Sequence, residues 1–182
     1  ERMTRILRDL IELTKLDSQR QEGSIERVDV AKLLKLITQE FSGKKSIAQI
    51  RLGLHTDVSL LGSEVGLYSI FYNLIHNAVR FTPAEGEIIC NWKLVGSGAE
   101  FSVQDSGIGI PEDMISRVTE RFFRVDPGRS RELGGTGLGL AIVKHALQIH
   151  EATLKIESET GEGSLFTCAF PKERVITQVE KL

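Results

Sequence analysis

Hydrophobic positions along this chain recur at two spacings, which predict helices and paired strands in turn. Apolar residues return every three or four positions in segments 30–41, 63–81 and 136–150, as they do on one face of a helix. Alternating or short apolar runs between polar and glycine-containing turns predict strands instead. The predicted strands are 48–54, 58–61, 87–95, 100–105, 153–158 and 164–170. Strands grouped in pairs between helices predict an α/β fold, a two-layer sandwich with a mixed sheet and one helical layer.

Polar and turn-forming residues mark where these elements begin and end. Asp29 is a candidate N-cap for the first of the three helices, and Ser63 or Glu64 begins the second. Thr82-Pro83 ends that second helix, because a residue before proline disfavours the helical conformation. Beyond Pro171 the pattern predicts little regular structure.

Residues 1–20 carry a further apolar stripe at helical spacing, followed by a polar break over 17–24. A lone amphipathic helix of this length is marginal in water. We therefore expect it to pack in a bundle with upstream sequence or a second copy, with docking on its own domain as the alternative. The chain is accordingly divided into a helix and linker (1–24), one domain (25–175) and a tail (176–182).

Composition narrows the class of protein without indicating an activity. The chain is 41% hydrophobic and 26% charged, which is ordinary for a soluble domain. A net charge of −2 provides no basic field, so we expect no nucleic-acid partner. No apolar run approaches the ~20 residues of a membrane span. Cys90 and Cys168 lie in predicted strands, where we expect reduced, buried thiols.

Two glycine clusters carry the candidate chemistry. The first is Asp105-Ser-Gly-Ile-Gly-Ile-Pro111, and the second, Gly134-Gly-Thr-Gly-Leu-Gly-Leu140, runs directly into a predicted helix. A glycine-rich turn that opens a helix exposes backbone N–H groups, which suits phosphate. The polar, arginine-rich segment 111–135 between them is long for a loop and predicts a lid. Asn73 and Asn77, one helical turn apart, complete a divided nucleotide site.

Four motifs, in this order, resemble the conserved boxes of sensor histidine kinases. Asn73-Leu-Ile-His-Asn77-Ala resembles the N box, and Asp105-x-Gly-x-Gly109 resembles the G1 box. Arg121-Phe-Phe-Arg124 resembles the F box, and Gly135-x-Gly-x-Gly139 the G2 box. The resemblance implies the Bergerat ATP-binding fold of the family's catalytic domain. Residues 1–20 resemble the second helix of its dimerisation and histidine-phosphotransfer hairpin.

The resemblance implies ATP and Mg²⁺ as the ligands of this site. Asn77 would be the magnesium ligand, because a neutral amide oxygen suits a hard cation that keeps most of its waters. Asn73 would support the phosphates. Related ATPases of the fold carry a glutamate base at that position, and an amide cannot act as a general base. Asn73 therefore favours transfer to a protein side chain over hydrolysis.

The remaining site residues also follow from the resemblance. Asp105 would accept the exocyclic amino hydrogens of adenine. Phe81 would pack against the base, with a plain core role as the alternative, and Arg80 stands where the family usually has lysine. Arg124 and Arg121 would meet the γ-phosphate, with solvated surface charge as the alternative, while Phe122 or Phe123 anchors the lid. The other implied nucleotide-binding positions are Gly107, Gly109, Gly135, Thr136, Gly137, Leu138 and Gly139.

The chain contains no candidate phosphoacceptor. Its four histidines are His55, His76, His145 and His150, and none stands in a His-Glu-x-x-x-Pro setting. The resemblance implies an acceptor histidine on an upstream bundle helix, with relay to the aspartate of a response regulator.

The wider expectations are those of the family. They are a homodimer through the bundle helices, membrane attachment only through N-terminal segments, and a place in the cytoplasmic portion of a bacterial inner-membrane protein. Stretches 119–126 and 141–146 resemble the branch that serves phosphate-starvation signalling. Two alternatives stay open: an ATP-hydrolysing conformational machine on the same fold, and a non-catalytic nucleotide-binding scaffold.

Overall fold

The structure is a computed structural model that describes residues 25–41, 48–125 and 135–177. The predicted bundle helix within 1–24 lies outside the described residues. So do residues 42–47, part of the predicted lid (126–134) and the last residues (178–182).

The described residues form helices and strands in nearly the predicted order. The helices are α1 (Val30–Phe41), α2 (Glu64–Phe81), α3 (Glu112–Ile115) and α4 (Gly139–Ile149). The strands are β1 (Glu26–Val28), β2 (Gln49–Leu54), β3 (Ser59–Gly62), β4 (Glu87–Val95), β5 (Gly98–Asp105), β6 (Thr153–Glu159), β7 (Gly163–Phe170) and β8 (Val175–Ile176). Across the described ranges, no helix is both long and apolar enough to cross a membrane.

The main sheet has five strands in the order β2-β4-β5-β7-β6. Strand β2 runs parallel to β4, and the other neighbours are antiparallel, so the predicted mixed sheet is confirmed. A smaller sheet, β1-β3-β8, lies beside it. Asp105 at the end of β5 stands opposite Ser164 on β7, which positions the first glycine cluster at this edge of the sheet.

One face of the main sheet is buried under the helices. Trp92 and Phe101 alternate with polar residues along their strands, and both are fully buried together with Phe170. The ring of Phe71 from α2 packs edge-on against Phe101, with centroids 4.7 Å apart. The opposite face is polar and carries ion pairs such as Lys93–Glu100. The predicted two-layer sandwich with one helical layer is confirmed.

The predicted helix ends are confirmed by their capping bonds. Asp29 Oδ1 accepts a hydrogen bond from Lys32 N at 3.0 Å. Ser63 Oγ accepts from Gly66 N at 3.2 Å, and α2 ends at Phe81, with Thr82 as its C-cap before proline. These bonds satisfy backbone donors that the first turn of a helix leaves without partners.

The pattern was wrong at four places. One is helix α3, which lies within the segment predicted as a lid loop. Helix α4 begins at Gly139 and not at residue 136, because Leu138 N bonds to the Thr136 hydroxyl in a separate turn. The segment after Pro171 is ordered as a 3₁₀ turn and β8, which pairs with β3. Strand β1 was not predicted, since three residues are too few to show alternation.

Both thiols are buried and free, as expected. Burial raises the pKa of Cys90 to about 12 and also raises that of Cys168, because a thiolate loses hydration in an apolar core. The two side chains therefore behave as small hydrophobic groups.

Candidate nucleotide-binding site

The first part of the candidate site is the point where α2 meets the start of α4. Gly139 opens α4, and a Cβ at this position would lie 2.9 Å from Asn73 Oδ1 and 3.9 Å from Asn77 Oδ1. Only glycine allows so close an approach. The two predicted asparagines are thus brought together beside the N-terminus of α4, where backbone N–H groups and the helix dipole favour negative charge.

The amide of Asn73 has a defined orientation. Its Nδ2 donates a hydrogen bond to Ser69 O at 2.8 Å, one turn back along α2. Because the amino group is committed to the helix backbone, the oxygen faces Gly139. Asn73 therefore presents its acceptor oxygen toward the start of α4.

The turn before α4 is shaped by three of the predicted residues. Thr136 Oγ1 accepts from Leu138 N at 3.2 Å. Gly137 has φ +77°, a left-handed conformation that glycine adopts without strain. The Leu138 side chain is fully buried, so it anchors the turn in the core and leaves only its backbone for a ligand.

The F-box segment contacts this turn through its backbone. Phe122 N donates to Gly137 O at 2.8 Å, and a Cβ at Gly137 would lie 2.8 Å from the carbonyl carbon of Phe122. Phe122 itself has φ +64° and its side chain is 56% exposed. Arg121 is exposed and Arg124 half-buried on either side of the Phe122–Phe123 pair.

Of the two aromatic residues expected to anchor the lid, Phe122 is exposed and Phe123 is half-buried. The buried residue of this segment is Val118, whereas the Phe122 ring is exposed. Phe123 lies under Arg117, whose Cζ is 4.4 Å from the ring centroid. Val118 is thus the buried apolar side chain of this segment, and Phe123 is half-buried.

Arg80 and Phe81 connect the second glycine cluster with the first. The Arg80 guanidinium lies where a Cβ of Gly135 would stand, so the two are in direct contact. Arg80 Cζ is 5.0 Å from the Phe81 ring centroid, within the range of a cation–π interaction. The carbonyl oxygen of Phe81 accepts from Ile108 N at 3.3 Å.

Asp105 is the one predicted carboxylate of the site, and it is buried with 7% exposure. Its Oδ1 accepts from Gly107 N at 2.9 Å. Burial raises the pKa of this carboxyl above its ordinary value, and the backbone N–H groups of Gly107 and Ser164 lower it by less. The carboxyl is held at the strand end by these two N–H groups, beside the glycine turn.

Gly107 and Gly109 are required by close backbone contacts. A Cβ at Gly107 would lie 2.6 Å from Phe81 O, and at Gly109 (φ +67°) it would overlap Glu159 O. Gly161 N also donates to Ile108 O at 2.9 Å. The loop after Asp105 is therefore held between the end of α2 and the β6–β7 turn.

The structure thus brings most of the predicted residues into one connected site. Sequence reasoning missed two residues that support it, Ser158 on β6 and Ser164 on β7. Ser164 follows the Gly161-x-Gly163 turn, which was a visible signal of close approach to Asp105. Ser158 carried no signal, because a serine in an alternating strand is ordinary.

Comparison with known proteins identifies the class of this domain. Residues 62–174 match the family of histidine kinase-, DNA gyrase B- and HSP90-like ATPases, which is more than half of the chain. The chain belongs to this family, and it is an ATPase domain of the histidine-kinase type. The resemblance drawn from the four boxes is confirmed at the level of family and fold.

Particular relatives refine this assignment. The chain is 46% identical over 176 residues to the phosphate regulon sensor protein PhoR of Pseudomonas aeruginosa, covering 96% of this chain and 40% of that protein. The chain therefore spans less than half of that relative. The mycobacterial sensor histidine kinase MprB is 27% identical with a TM-score of 0.71, over 81% of this chain and 97% of that one. Full-length ShkA in complex with AMPPNP is 26% identical with a TM-score of 0.81, and the match covers 99% of this chain and 37% of that one.

Proposed function

We propose that this domain binds ATP with Mg²⁺ and transfers the γ-phosphoryl group to a histidine on a helix upstream of it in the intact protein. The observation that carries this proposal is the junction of α2 and α4. There, two amide side chains approach Gly139 at the N-terminus of a helix. That combination offers N–H groups for phosphate and neutral oxygens for a hydrated cation.

The residues at the junction fit Mg²⁺ held jointly with a nucleotide. Among the described residues, no group of three or more His, Cys, Asp or Glu side chains could hold a metal ion. Asn77 Oδ1 would supply one protein ligand, and phosphate oxygens and waters would complete the octahedral shell. When bound, the ion would neutralise charge on the transferring phosphoryl group.

The base and the charges of ATP have separate partners in this proposal. Asp105 accepts the adenine amino group, and the half-buried Phe81 ring packs against the base. Arg80, between Gly135 and Phe81, neutralises phosphate charge. Arg124 and Arg121 on the lid meet the γ-phosphate as charge develops. The backbone approaches the nucleotide closely at the two glycine clusters, through Gly107, Gly109 and residues Gly135 to Gly139.

Transfer to a side chain is favoured over hydrolysis by Asn73. Its amide cannot remove a proton from water, and its nitrogen is committed to Ser69 O. In the proposed reaction an imidazole nitrogen forms a bond to the γ-phosphorus. The bond from that phosphorus to the β–γ bridging oxygen breaks, ADP leaves, and the imidazole loses its proton.

The proposed partners of the intact protein, and its proposed location in the cell, are inferred from its relatives. The intact protein would dimerise through helices that include residues 1–20, and would pass the phosphoryl group to an aspartate of a response regulator. Its similarity to PhoR supports a role in phosphate-starvation signalling. The domain would face the cytoplasm of a bacterium, with any membrane attachment through segments N-terminal to it.

The test follows label from γ-labelled ATP in the intact protein with Mg²⁺. We expect acid-labile label on histidine, abolished by Asn77→Ala. Lys144→Ala, an exposed change on the outer side of α4, is the matched control and should retain transfer. Bound ATP with steady phosphate release and no labelled histidine would favour the ATP-hydrolysing alternative. Bound ATP with neither labelled histidine nor phosphate release would favour the nucleotide-binding scaffold, and failure to bind ATP would overturn the proposal.

A further inference from the structure

The hydroxyl of Ser158 on β6 touches three groups around the first glycine cluster. It lies 2.8 Å from Ile110 N, in the loop that follows Gly109. It lies 2.8 Å from Gly163 O and 2.9 Å from Ser164 Oγ, both at the start of β7. One side chain therefore ties the loop to the strand next to Asp105.

Counting protons fixes the direction of each bond. Ser158 has one hydroxyl hydrogen, and Gly163 O is a carbonyl oxygen that can only accept, so the hydrogen points there. Ile110 N–H donates to one lone pair of Ser158. The bond between the two serines must then run from Ser164 to Ser158.

The consequence falls on Ser164. Its only hydroxyl hydrogen is committed to Ser158, so its free lone pairs make it an acceptor toward any other group. Ser164 is buried and pairs with Asp105 across β5 and β7, on the helix-facing side of the sheet. The carboxylate and this hydroxyl together form an acceptor pair at the strand edge.

We infer that Ser158 is a positioning residue that sets the choice of base, by keeping Ser164 an acceptor beside Asp105. This inference rests on the proposed function. Two acceptors match the amino group at position 6 of adenine and oppose the carbonyl oxygen that guanine carries there. Without the Ser158 oxygen, Ser164 can turn its hydrogen toward the base and tolerate that carbonyl.

The test compares the affinities of Mg²⁺-ATP and Mg²⁺-GTP by titration calorimetry on this chain. For Ser158→Ala we expect ATP to bind about tenfold more weakly and GTP to change by less than about twofold. The preference for ATP over GTP should therefore fall about fivefold or more. Ser158→Thr keeps the hydroxyl and should restore the preference.

Two further variants keep the inference falsifiable. Ser158→Cys keeps the size of the side chain but replaces the hydroxyl oxygen with sulfur, a poor hydrogen-bond acceptor. It should lose the preference for ATP as Ser158→Ala does, and it serves as the test if the alanine variant does not fold. Ser59→Ala removes another buried serine hydroxyl, one that bonds to Arg27 in the small sheet, and should leave the preference unchanged.

Several results would overturn the inference. Equal weakening of ATP and GTP would mean that Ser158 only holds the loop, and unchanged binding of both would mean that it does nothing for the base. An unmodified chain that does not discriminate between them would also overturn it. An unmodified chain that binds neither nucleotide would overturn the proposed function as well.

Discussion

The two ends of the α2–α4 helix pair use the same packing device for opposite purposes. At each end, glycine lets a polar side chain approach the backbone closely. Near the glycine clusters, Gly139 faces the amide oxygen of Asn73. At the far end, Gly62 and Gly66 face the ring of His150, which follows α4.

The far end is closed, because the His150 ring uses both of its nitrogens. Nε2 accepts from Ser63 N at 3.1 Å, and Nδ1 lies 2.7 Å from Ala146 O, to which it donates as the neutral tautomer. The ring is 1% exposed. Arg174 lies beside it and pairs with Glu151 at 2.6 Å. We read this end as the structural anchor and the Asn73–Gly139 end as the binding end.

A matched pair of glycine substitutions should separate the two ends. In Gly62→Ala the new Cβ would overlap the His150 ring, so we expect a loss of about 3 kcal/mol in the free energy of unfolding. In Gly139→Ala the new Cβ displaces the Asn73 amide, so we expect about tenfold weaker ATP binding with less than about 1 kcal/mol of destabilisation.

Urea unfolding and calorimetric titration with Mg²⁺-ATP measure both quantities on both variants. Weak ATP binding by well-folded Gly62→Ala protein, or unfolding of Gly139→Ala, would reverse the assignment of the two ends.

Replacing the buried histidine sharpens the same contrast. His150→Leu leaves Ser63 N and Ala146 O without their side-chain partner in a closed site, which we expect to lower the unfolding free energy by about 2 kcal/mol. The affinity of folded protein for ATP should stay within about twofold. His55→Leu, at an exposed histidine, is the control and should change stability by less than about 0.5 kcal/mol. Equal losses in both variants would remove the special status of His150.

The turn at the binding end allows a further matched test. Gly137 (φ +77°) and Gly161 (φ +89°) are both left-handed, but only Gly137 has backbone atoms where a Cβ would stand. Alanine at Gly161 should cost about 1 kcal/mol of stability from backbone strain alone. Alanine at Gly137 should cost that much and also move Phe122, weakening ATP binding about fivefold. If both variants bind ATP equally, the contact between the F-box segment and the G2 turn does not contribute to binding.

The two ends should also differ in how they affect the pH dependence of stability. Burial lowers the pKa of His150 below its ordinary 6.5, and nearby Arg174 lowers it further, while the bonds to Ala146 and Ser63 oppose this. As the pH falls below 6.5, His150 therefore takes up a proton in the unfolded chain before it does so in the folded protein. The free energy of unfolding then drops by up to about 1.4 kcal/mol per pH unit until the pH reaches the pKa of His150 in the folded protein.

Urea unfolding at several pH values from about 7.5 to about 5.5, which spans the ordinary histidine pKa, measures how the free energy of unfolding changes with pH. His150→Leu should flatten this dependence. The raised pKa of Asp105 acts with the opposite sign, because its protonated form is favoured in the folded state. An unchanged slope in His150→Leu would show that another group titrates.

The binding end was largely predictable from sequence, and the anchor was not. Asn73, Asn77 and the glycines stand in motifs whose spacing itself carries the chemistry. His150 has no such signal, because its partner Ser63 stands at the start of α2, distant in sequence, and reaches the ring only after folding. Ser158 was missed for the same reason. Strand β8 escaped because its pairing with β3 depends on a contact distant in sequence.

In the proposed function, the junction of α2 and α4 holds the cation and the phosphates. Titration of ATP into the unmodified chain, Asn77→Ala and His150→Leu, each with Mg²⁺ and with chelator, tests this role. We expect Mg²⁺ to strengthen ATP binding about tenfold or more in the unmodified chain and in His150→Leu. Asn77→Ala should lose that gain. Full Mg²⁺-dependent strengthening in Asn77→Ala would contradict the account.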